Sequence, residues 1–380
     1  MNLKKEIYYW GPFIDKVATI KAMINSSKSI NKYSLKFKST LVDATGEWKN
    51  YFDKTNYENL KFVDLNLNFY NTLKGQSFLK SRLSYIKIFY KCFFPLKNLL
   101  IKNKPDYLII HLIVSLPMVL FLFFNFQTKL CLRISGKPKL NFFRKTLWKV
   151  SSHKIHKIFC PTIETKEYLI NQNIFIKNIF VLEDPVIEAK KINILKKEKS
   201  RFTKKNNIIL IGRHTKQKNF QLFVEAFSKI QSKYPDFTVN IFGEGELKSS
   251  LFNLIKSKNL DNVIMLHGYK KNIFKYLSDS KFFVLTSLWE DPGFVLMESA
   301  YCNVNIISSD CPNGPRNFLL NGKAGFLFKN NSVSSLIETL EKAINCKHEE
   351  LQQKKYLAKK ETLKYSIFRH YKNIEKKLEI

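Results

Sequence analysis

The chain has 380 residues and a mass of 44.8 kDa, more than one hydrophobic core usually organises, so two domains of roughly 150 to 200 residues are expected. With 45% hydrophobic and 14% aromatic residues, 12 Gly and 11 Pro, it can fill close-packed cores, which excludes a disordered, fibrous or small disulfide scaffold. Its 64 Lys and Arg against 31 Asp and Glu give a formal charge of +33, which asks for an anionic partner, a membrane leaflet or a nucleic acid, unless coding bias toward Lys, Asn, Ile and Phe supplied the excess.

The first residues, MNLKKEIYYWGPF, hold no apolar run of secretion-signal length, so a cytoplasmic protein is expected. The first half then offers EIYYW, SLKFKSTLV, KFVDLNL, DYLIIHLIV, KLCLRIS and KIFCPT as strands, with helical pieces between them. Residues 107–128 carry no charge and are about as long as a membrane span, yet His111, Ser115, Pro117 and Asn125 interrupt them. A buried strand followed by a buried helix, with Pro117 in that helix's first turn, is the preferred reading. The six Cys, at 92, 131, 160, 302, 311 and 346, form no C-x-x-C pair, so neither a metal site nor a redox motif is indicated.

Charge is concentrated in this half. Residues 71–163 contain 17 Lys or Arg and a single acid, Asp106, about half the formal charge in about a quarter of the chain. The helical segments FLKSRLSYIKIFYKCFF and KLNFFRKTLWKV mix Lys80, Lys87, Lys91, Arg144, Lys145 and Lys149 with apolar and aromatic residues, a composition suited to the headgroup region of an anionic bilayer. The competing reading is an ordinary amphipathic helix with a solvated Lys face.

The second half alternates strands and helices, the pattern of a doubly wound parallel α/β sheet. NNIILIGR, FTVNIFGEGE, NVIMLHGY, KFFVLTS and NVNIISS read as strands; helices fall at 219–234, 246–260, 272–280, from about Gly293, and at 332–344. The boundaries expected are an N-terminal domain at 1–187, a Lys-rich linker at 188–205, a C-terminal domain at 206–362, and a terminal helix at 363–380 with a return to the first domain as an option.

The chemistry concentrates in SLWEDPGFVLMESA. Glu290 sits in the loop after a strand and Glu298 in the following helix, on either side of a helix start whose N–H groups at Gly293, Phe294 and Val295 can hold an anion. IGRHTKQKNF adds Arg213 and Lys218 in the loop between the first strand and first helix of the same domain, where Gly212 permits a close turn. Two cations and a helix N-terminus in one crevice suit a diphosphate, both for binding it and for stabilising the charge that grows as it leaves.

These motifs give residues 206–345 a resemblance to the C-terminal half of the retaining glycosyltransferases of family 4: Gly212, Arg213, Lys218 and Asn219 in a G-R-x-x-x-x-K-N pattern, the turn at Gly243 to Gly245, His267-Gly268, and the E-x7-E pair. The resemblance implies the GT-B fold, two facing Rossmann-like domains with a cleft between them. It implies that Arg213 and Lys218 hold the donor diphosphate, that Glu290 contacts the donor sugar, that Glu298 bonds the ribose, and that Tyr269 and Lys270 border the base. Gly11 remains of the N-terminal glycine loop on the acceptor side. His111 corresponds to the family's strand-ending His near the reactive carbon, with a buried structural His as the equal alternative. Departures are E-D-P-G in place of E-G-F-G, with Asp291 and Pro292 near the sugar, and the loose match of the first half. The segment from Ser309 to Arg316 either closes over the pocket or, the preferred reading, simply turns into a helix.

No D-x-D occurs in the sequence, so no metal and no cofactor are expected. The expected function is a retaining, metal-independent hexosyltransferase. It would take a nucleotide-sugar, a UDP-sugar first, and act on a lipid-linked or glycan acceptor at the inner face of a bacterial cytoplasmic membrane, in glycolipid, lipopolysaccharide or capsule assembly. A basic nucleic-acid binder and a nucleotide-sugar epimerase are the alternatives. The former leaves the Glu pair unexplained, so no nucleic-acid partner is expected.

Overall fold

The computed structural model describes residues 3–14, 18–51, 59–73, 78–175, 177–200 and 206–380, and the chain divides into two units. One comprises Met1–Pro185 and Ile367–Ile380, the other Val186–Ser366.

The first unit is built on strands β1 (Lys5–Trp10), β2 (Phe37–Asp43), β3 (Phe62–Asp64), β4 (Tyr107–Ile110), β5 (Lys129–Arg133), β6 (Ile155–Cys160) and β7 (Ile179–Val181), in the order β3-β2-β1-β4-β5-β6-β7 with every pairing parallel. Parallel strands need crossover helices, and helices on both faces bury the strands completely. Hence all four residues of β4 are buried, and so are Ile7 to Trp10 and Leu130 to Arg133.

The uncharged stretch at 107–128 resolves into β4 and the helix Ser115–Phe123, with Pro117 in the first turn, where its missing N–H costs nothing. Leu116, Met118, Leu120 and Phe121 of that helix are buried. Among the described residues no helix is long and apolar enough to cross a membrane.

The second unit holds β8 (Asn207–Ile211), β9 (Thr238–Phe242), β10 (Ile264–His267), β11 (Phe282–Leu285), β12 (Asn305–Ser309) and β13 (Phe326–Phe328), ordered β10-β9-β8-β11-β12-β13 and again all parallel. Its helices bury one face each; Leu222, Phe223, Ala226 and Phe227 of the helix Phe220–Ser228 pack beneath β8, β9 and β11.

Three expectations change. Residues 188–205 are not simply a connection: Ala189–Leu195 is a helix, and Ile192 and Ile187 are buried in the second unit, so the crossing falls at Pro185–Val186. Exposed lysines dominate that segment's composition and conceal its two anchoring isoleucines; residues 201–205 lie outside the described residues. The short strands β7 and β13 were not anticipated, because three residues are too few to show a period. The basic helix runs over Phe78–Asn103, well past Phe94, with Pro95 inside it.

The terminal helix Ile367–Glu379 packs in the first unit, on the helix Ala18–Tyr33. Ile374 and Leu378 join that core, and Tyr107 donates its hydroxyl to Leu378 O at 3.1 Å. All six cysteines are free thiols, and burial pushes Cys92, Cys131, Cys160, Cys302 and Cys311 up to about 12.

Candidate functional site

In the second unit the motif residues lie at or beyond the carboxyl ends of parallel strands, the edge where open α/β sheets bind ligands. The loop after β8 and the loop after β9 are pressed together. A Cβ on Gly243 would stand 1.9 Å from Gly212 O, and Gly243 has φ of 137°. A Cβ on Gly245 would stand 2.4 Å from His214 O. Only glycine fits either position. The paired loops carry Gly212, Arg213 and His214, tied by Gly212 N–H to Phe242 O at 3.0 Å and His214 N–H to Glu244 O at 2.9 Å.

Arg213 is exposed and Lys218 is half-buried. The Lys218 stem lies along Gly212, whose absent Cβ would come within 3.1 Å of its methylenes, and its backbone carbonyl accepts from Thr286 Oγ1 at 2.8 Å. Its ammonium reaches Glu290 Oε1 at 2.5 Å, with side-chain exposures of 14% and 5%. Ser287 Oγ donates to the same oxygen at 2.5 Å. Glu290 is thus held by two donors, and Gly293, with φ of 92°, leaves room for its carboxylate.

The helix Phe294–Tyr301 starts at Gly293, which has no side chain to cap it, so its first N–H groups, including those of Phe294 and Val295, stay at the loop. Glu298 is buried in its second turn. The Glu290 loop is braced from behind: Glu290 N–H bonds Pro312 O at 3.2 Å, Asn313 donates to the Asp291 carboxylate, and Gly314 lies against Pro292 where a Cβ would meet Pro292 O at 2.7 Å. The 309–316 segment therefore turns into the helix Pro315–Phe318 and buttresses the loop on the way. Gln217 and Asn330 donate to Trp289 O and Leu288 O at 2.9 and 3.0 Å, fixing the loop from the front.

Tyr269 and Lys270 are exposed after β10, Tyr269 by 77%. Beneath them the His267 ring stacks on Phe242 at 4.5 Å and bonds Asn240 Oδ1 at 2.7 Å. His214 is buried, and neither ring nitrogen has a hydrogen-bond partner among the described residues; burial lowers its pKa. Neither Ser287 nor His214 was singled out from sequence. Ser287 could have been, as the hydroxyl three residues before Glu290.

In the first unit Gly11 and His111 lie side by side at the ends of β1 and β4. A Cβ on Gly11 would meet Met23 Sδ at 2.7 Å and His111 Cβ at 3.4 Å. His111 is 7% exposed, and its ring faces a cavity of about 10 Å³ shared with Tyr9, Ser26, Arg133, Asp184 and His370. Its Nε2 has no hydrogen-bond partner among the described residues, and burial, then Arg133 and His370, hold its pKa well below the usual value. Around the cavity Arg133 pairs with Asp184 at 2.5 Å, and the Tyr9 hydroxyl, Ser26 and His370 form a chain with links of 2.7 and 2.8 Å. His370 is lowered to about 3, chiefly by burial.

The basic segments are helical, and Lys87 and Lys91 turn to one side of the first of them. Lys87 donates to Thr72 Oγ1 at 2.7 Å, and Lys87 and Lys91 both lie over the Phe69 ring, at 5.7 and 5.0 Å. The side chain of Lys80 lies outside the described residues. The helix Phe78–Asn103 exposes apolar side chains, Leu83 by 65%, Ile86 by 53%, Tyr90 by 74% and Phe94 by 63%, among exposed Arg82, Lys91 and Lys102. The helix Phe142–Ser151 exposes Phe142 and Phe143, by 78% and 81%, beside exposed Arg144, Lys145 and Lys149. This helix follows β5, so Phe142 and Phe143 stand at the carboxyl edge of the sheet, the edge of Gly11 and His111. The helix Phe78–Asn103 leads into β4, so its beginning, with Leu83 and Ile86, lies toward that same edge.

Residues 191–361 match the family model described as Glycosyl transferases group 1. A 168-residue stretch is 35% identical to a Methanocaldococcus jannaschii glycosyltransferase, covering 43% of this chain and 41% of that one. A 133-residue stretch is 32% identical to the Campylobacter jejuni N-acetylgalactosamine-N,N'-diacetylbacillosaminyl-diphospho-undecaprenol 4-alpha-N-acetylgalactosaminyltransferase, covering 35% and 36%. The chain thus spans about two fifths of the length of these curated relatives. Over 99% of both chains it superposes on Anabaena HepE, solved in complex with UDP, with a TM-score of 0.71 and 12% identity, a likeness of fold alone. Both sheets have the Rossmann-like form of GT-B glycosyltransferases, and residues 191–361, just under half of the chain, carry its likeness to the glycosyl transferases group 1 family.

Proposed function

We propose that the chain is a retaining glycosyltransferase of family 4 that transfers a hexose-type sugar from a nucleotide-sugar, a UDP-sugar first, to a membrane-associated acceptor in cell-envelope glycan assembly. The observation that carries this reading is the Lys218–Glu290–Ser287 cluster beside the uncapped helix start at Gly293. Arg213, Lys218 and the Phe294 and Val295 N–H groups hold the diphosphate and take up its growing charge without a metal. Glu290 orients the sugar, Glu298 the ribose, and Tyr269 and Lys270 flank the base. The bond from the anomeric carbon to the β-phosphate oxygen breaks while the acceptor oxygen bonds that carbon on the same face. The acceptor's proton passes to the departing phosphate oxygen, and configuration is retained.

A lipid-linked acceptor is supported by the Campylobacter relative, whose name contains a diphospho-undecaprenol acceptor. It is supported also by the exposed Phe142-Phe143-Arg144-Lys145 run at the carboxyl edge of the first sheet, a site for peripheral contact with an anionic inner-membrane face.

The decisive test is a thermal-shift panel of UDP, GDP, ADP and CMP with their sugar conjugates, on the wild type and on Arg213→Ala/Lys218→Ala. A ligand at 100 times its Kd adds about 2.7 kcal/mol of stability. A nucleotide-selective shift lost in the double variant is expected and would identify the base. No shift with any nucleotide, alongside salt-sensitive RNA or DNA binding, would replace this reading by the nucleic-acid one.

A further inference from the structure

Lys218 and Glu290 were assigned separate tasks, one on phosphate and one on sugar, yet their side chains are bonded to each other at 2.5 Å. The pair is well enclosed, with Ser287 on the same carboxylate oxygen, Gly212 along the Lys218 stem and Gly293 against the carboxylate's other oxygen, where a Cβ would stand 3.3 Å away. In so little solvent, separating the two charges without replacing either partner is costly. Arg213, by contrast, is exposed.

We infer that Glu290 acts as an internal competitor for the diphosphate, so that the Lys218 charge becomes available to phosphate only when a donor sugar takes over the Glu290 carboxylate. This rests on the functional reading above and adds to it a rule of discrimination. A nucleoside diphosphate without its sugar draws Lys218 away but offers Glu290 no hydrogen-bond donor, and leaves a buried carboxylate beside an anion. A nucleotide-sugar satisfies both partners at once, since its hydroxyl groups can donate to the carboxylate. After transfer the sugar departs with the acceptor, Glu290 returns to Lys218, and the spent nucleoside diphosphate is displaced. Ser287 is a positioning residue in this scheme, because its hydroxyl keeps Oε1 directed at the ammonium.

The test is calorimetric titration of UDP, with GDP and ADP in parallel, into the full chain as wild type, Glu290→Gln, Lys218→Ala and the double variant. Glu290→Gln should tighten the nucleoside diphosphate that binds the wild type by about tenfold, the scale of one close charge pair. In the Lys218→Ala background the same replacement should change affinity by less than about twofold, since no pair is left to break. Glu290→Ala removes the same charge and should tighten binding in the same direction, which guards against a folding defect peculiar to one variant. Unchanged or weaker binding on loss of Glu290, or equal tightening with and without Lys218, overturns the inference while the donor site stands. Binding of no nucleoside diphosphate to wild type or variant overturns the functional reading and the inference together.

Discussion

The two units share a strand order, yet they use the carboxyl edge of the sheet in opposite ways. In the second unit some of the side chains beyond β8 and β10 are presented to solvent: Arg213, Tyr269 and Lys270 are exposed, and glycines bring the backbone close. In the first unit the corresponding polar groups are turned inward, Arg133 onto Asp184 and Tyr9 onto Ser26 and His370, and the chain's last helix contributes to that enclosure. What the first unit exposes instead is apolar and basic surface on two helices. One topology therefore supplies the edge in both, while the loops and the placement of glycine decide whether its side chains stay open to solvent or close on one another.

The contrast can be broken most severely at Arg133. Arg133→Met leaves Asp184 buried without its cation and should cost about 3–5 kcal/mol in urea unfolding, whereas Arg133→Met/Asp184→Leu should recover most of it. A loss below about 1 kcal/mol from the single change would mean that the interior is wetter than its 3% and 7% exposures indicate. In the second unit Gly243→Ala drives a Cβ into Gly212 O and should destabilise by about 2 kcal/mol or more, with loss of nucleotide binding; retained binding and stability would show that the two loops can separate freely.

Acid should act on the first unit through two buried histidines. His370 and His111 are both depressed, so the folded unit binds fewer protons than the unfolded chain below about pH 6.5. The stability they contribute is present above that pH and is lost as pH falls below it, for His370 down to about 3, at about 1.4 kcal/mol per pH unit for each group. Equilibrium unfolding between pH 6 and 4 should show this slope, and His370→Gln should reduce it by about one proton. A slope indifferent to that replacement would remove His370 from the account.

The smallest effect on stability, within about 0.5 kcal/mol, is expected for Phe142→Ser/Phe143→Ser, since both rings are exposed. The same variant should no longer sediment with phosphatidylglycerol vesicles, and undiminished sedimentation would separate these rings from any membrane contact.

Much of this organisation was legible in the order of residues. Buried parallel strands such as YLII and NIILI announce themselves as short β-branched runs, because helices on both faces leave no polar alternation. Gly243 and Gly293 mark their turns because their positive φ and close neighbours favour glycine. The break at Ser115 and Pro117 separated strand from helix in a stretch that hydropathy alone would have run together. Less was legible where a signal is too short, as in β7 and β13, or where composition misleads, as in the Lys-rich segment that hides Ile187 and Ile192.

Sequence alone determined the two-sheet α/β class, the location of Glu290, Arg213 and Lys218 on strand-to-helix loops and of Glu298 in the helix that follows, and the family resemblance of the second half, because each depends on residues close together in the chain. Only the tertiary structure decided that Lys218 and Glu290, 72 positions apart, neutralise each other, that His370 from the last helix reaches Ser26, 344 positions away, and that Arg133 finds Asp184. Such pairings arise when separate strands are brought edge to edge and a buried charge or hydrogen-bonding group must take whichever partner the packing delivers, a choice that no local pattern encodes.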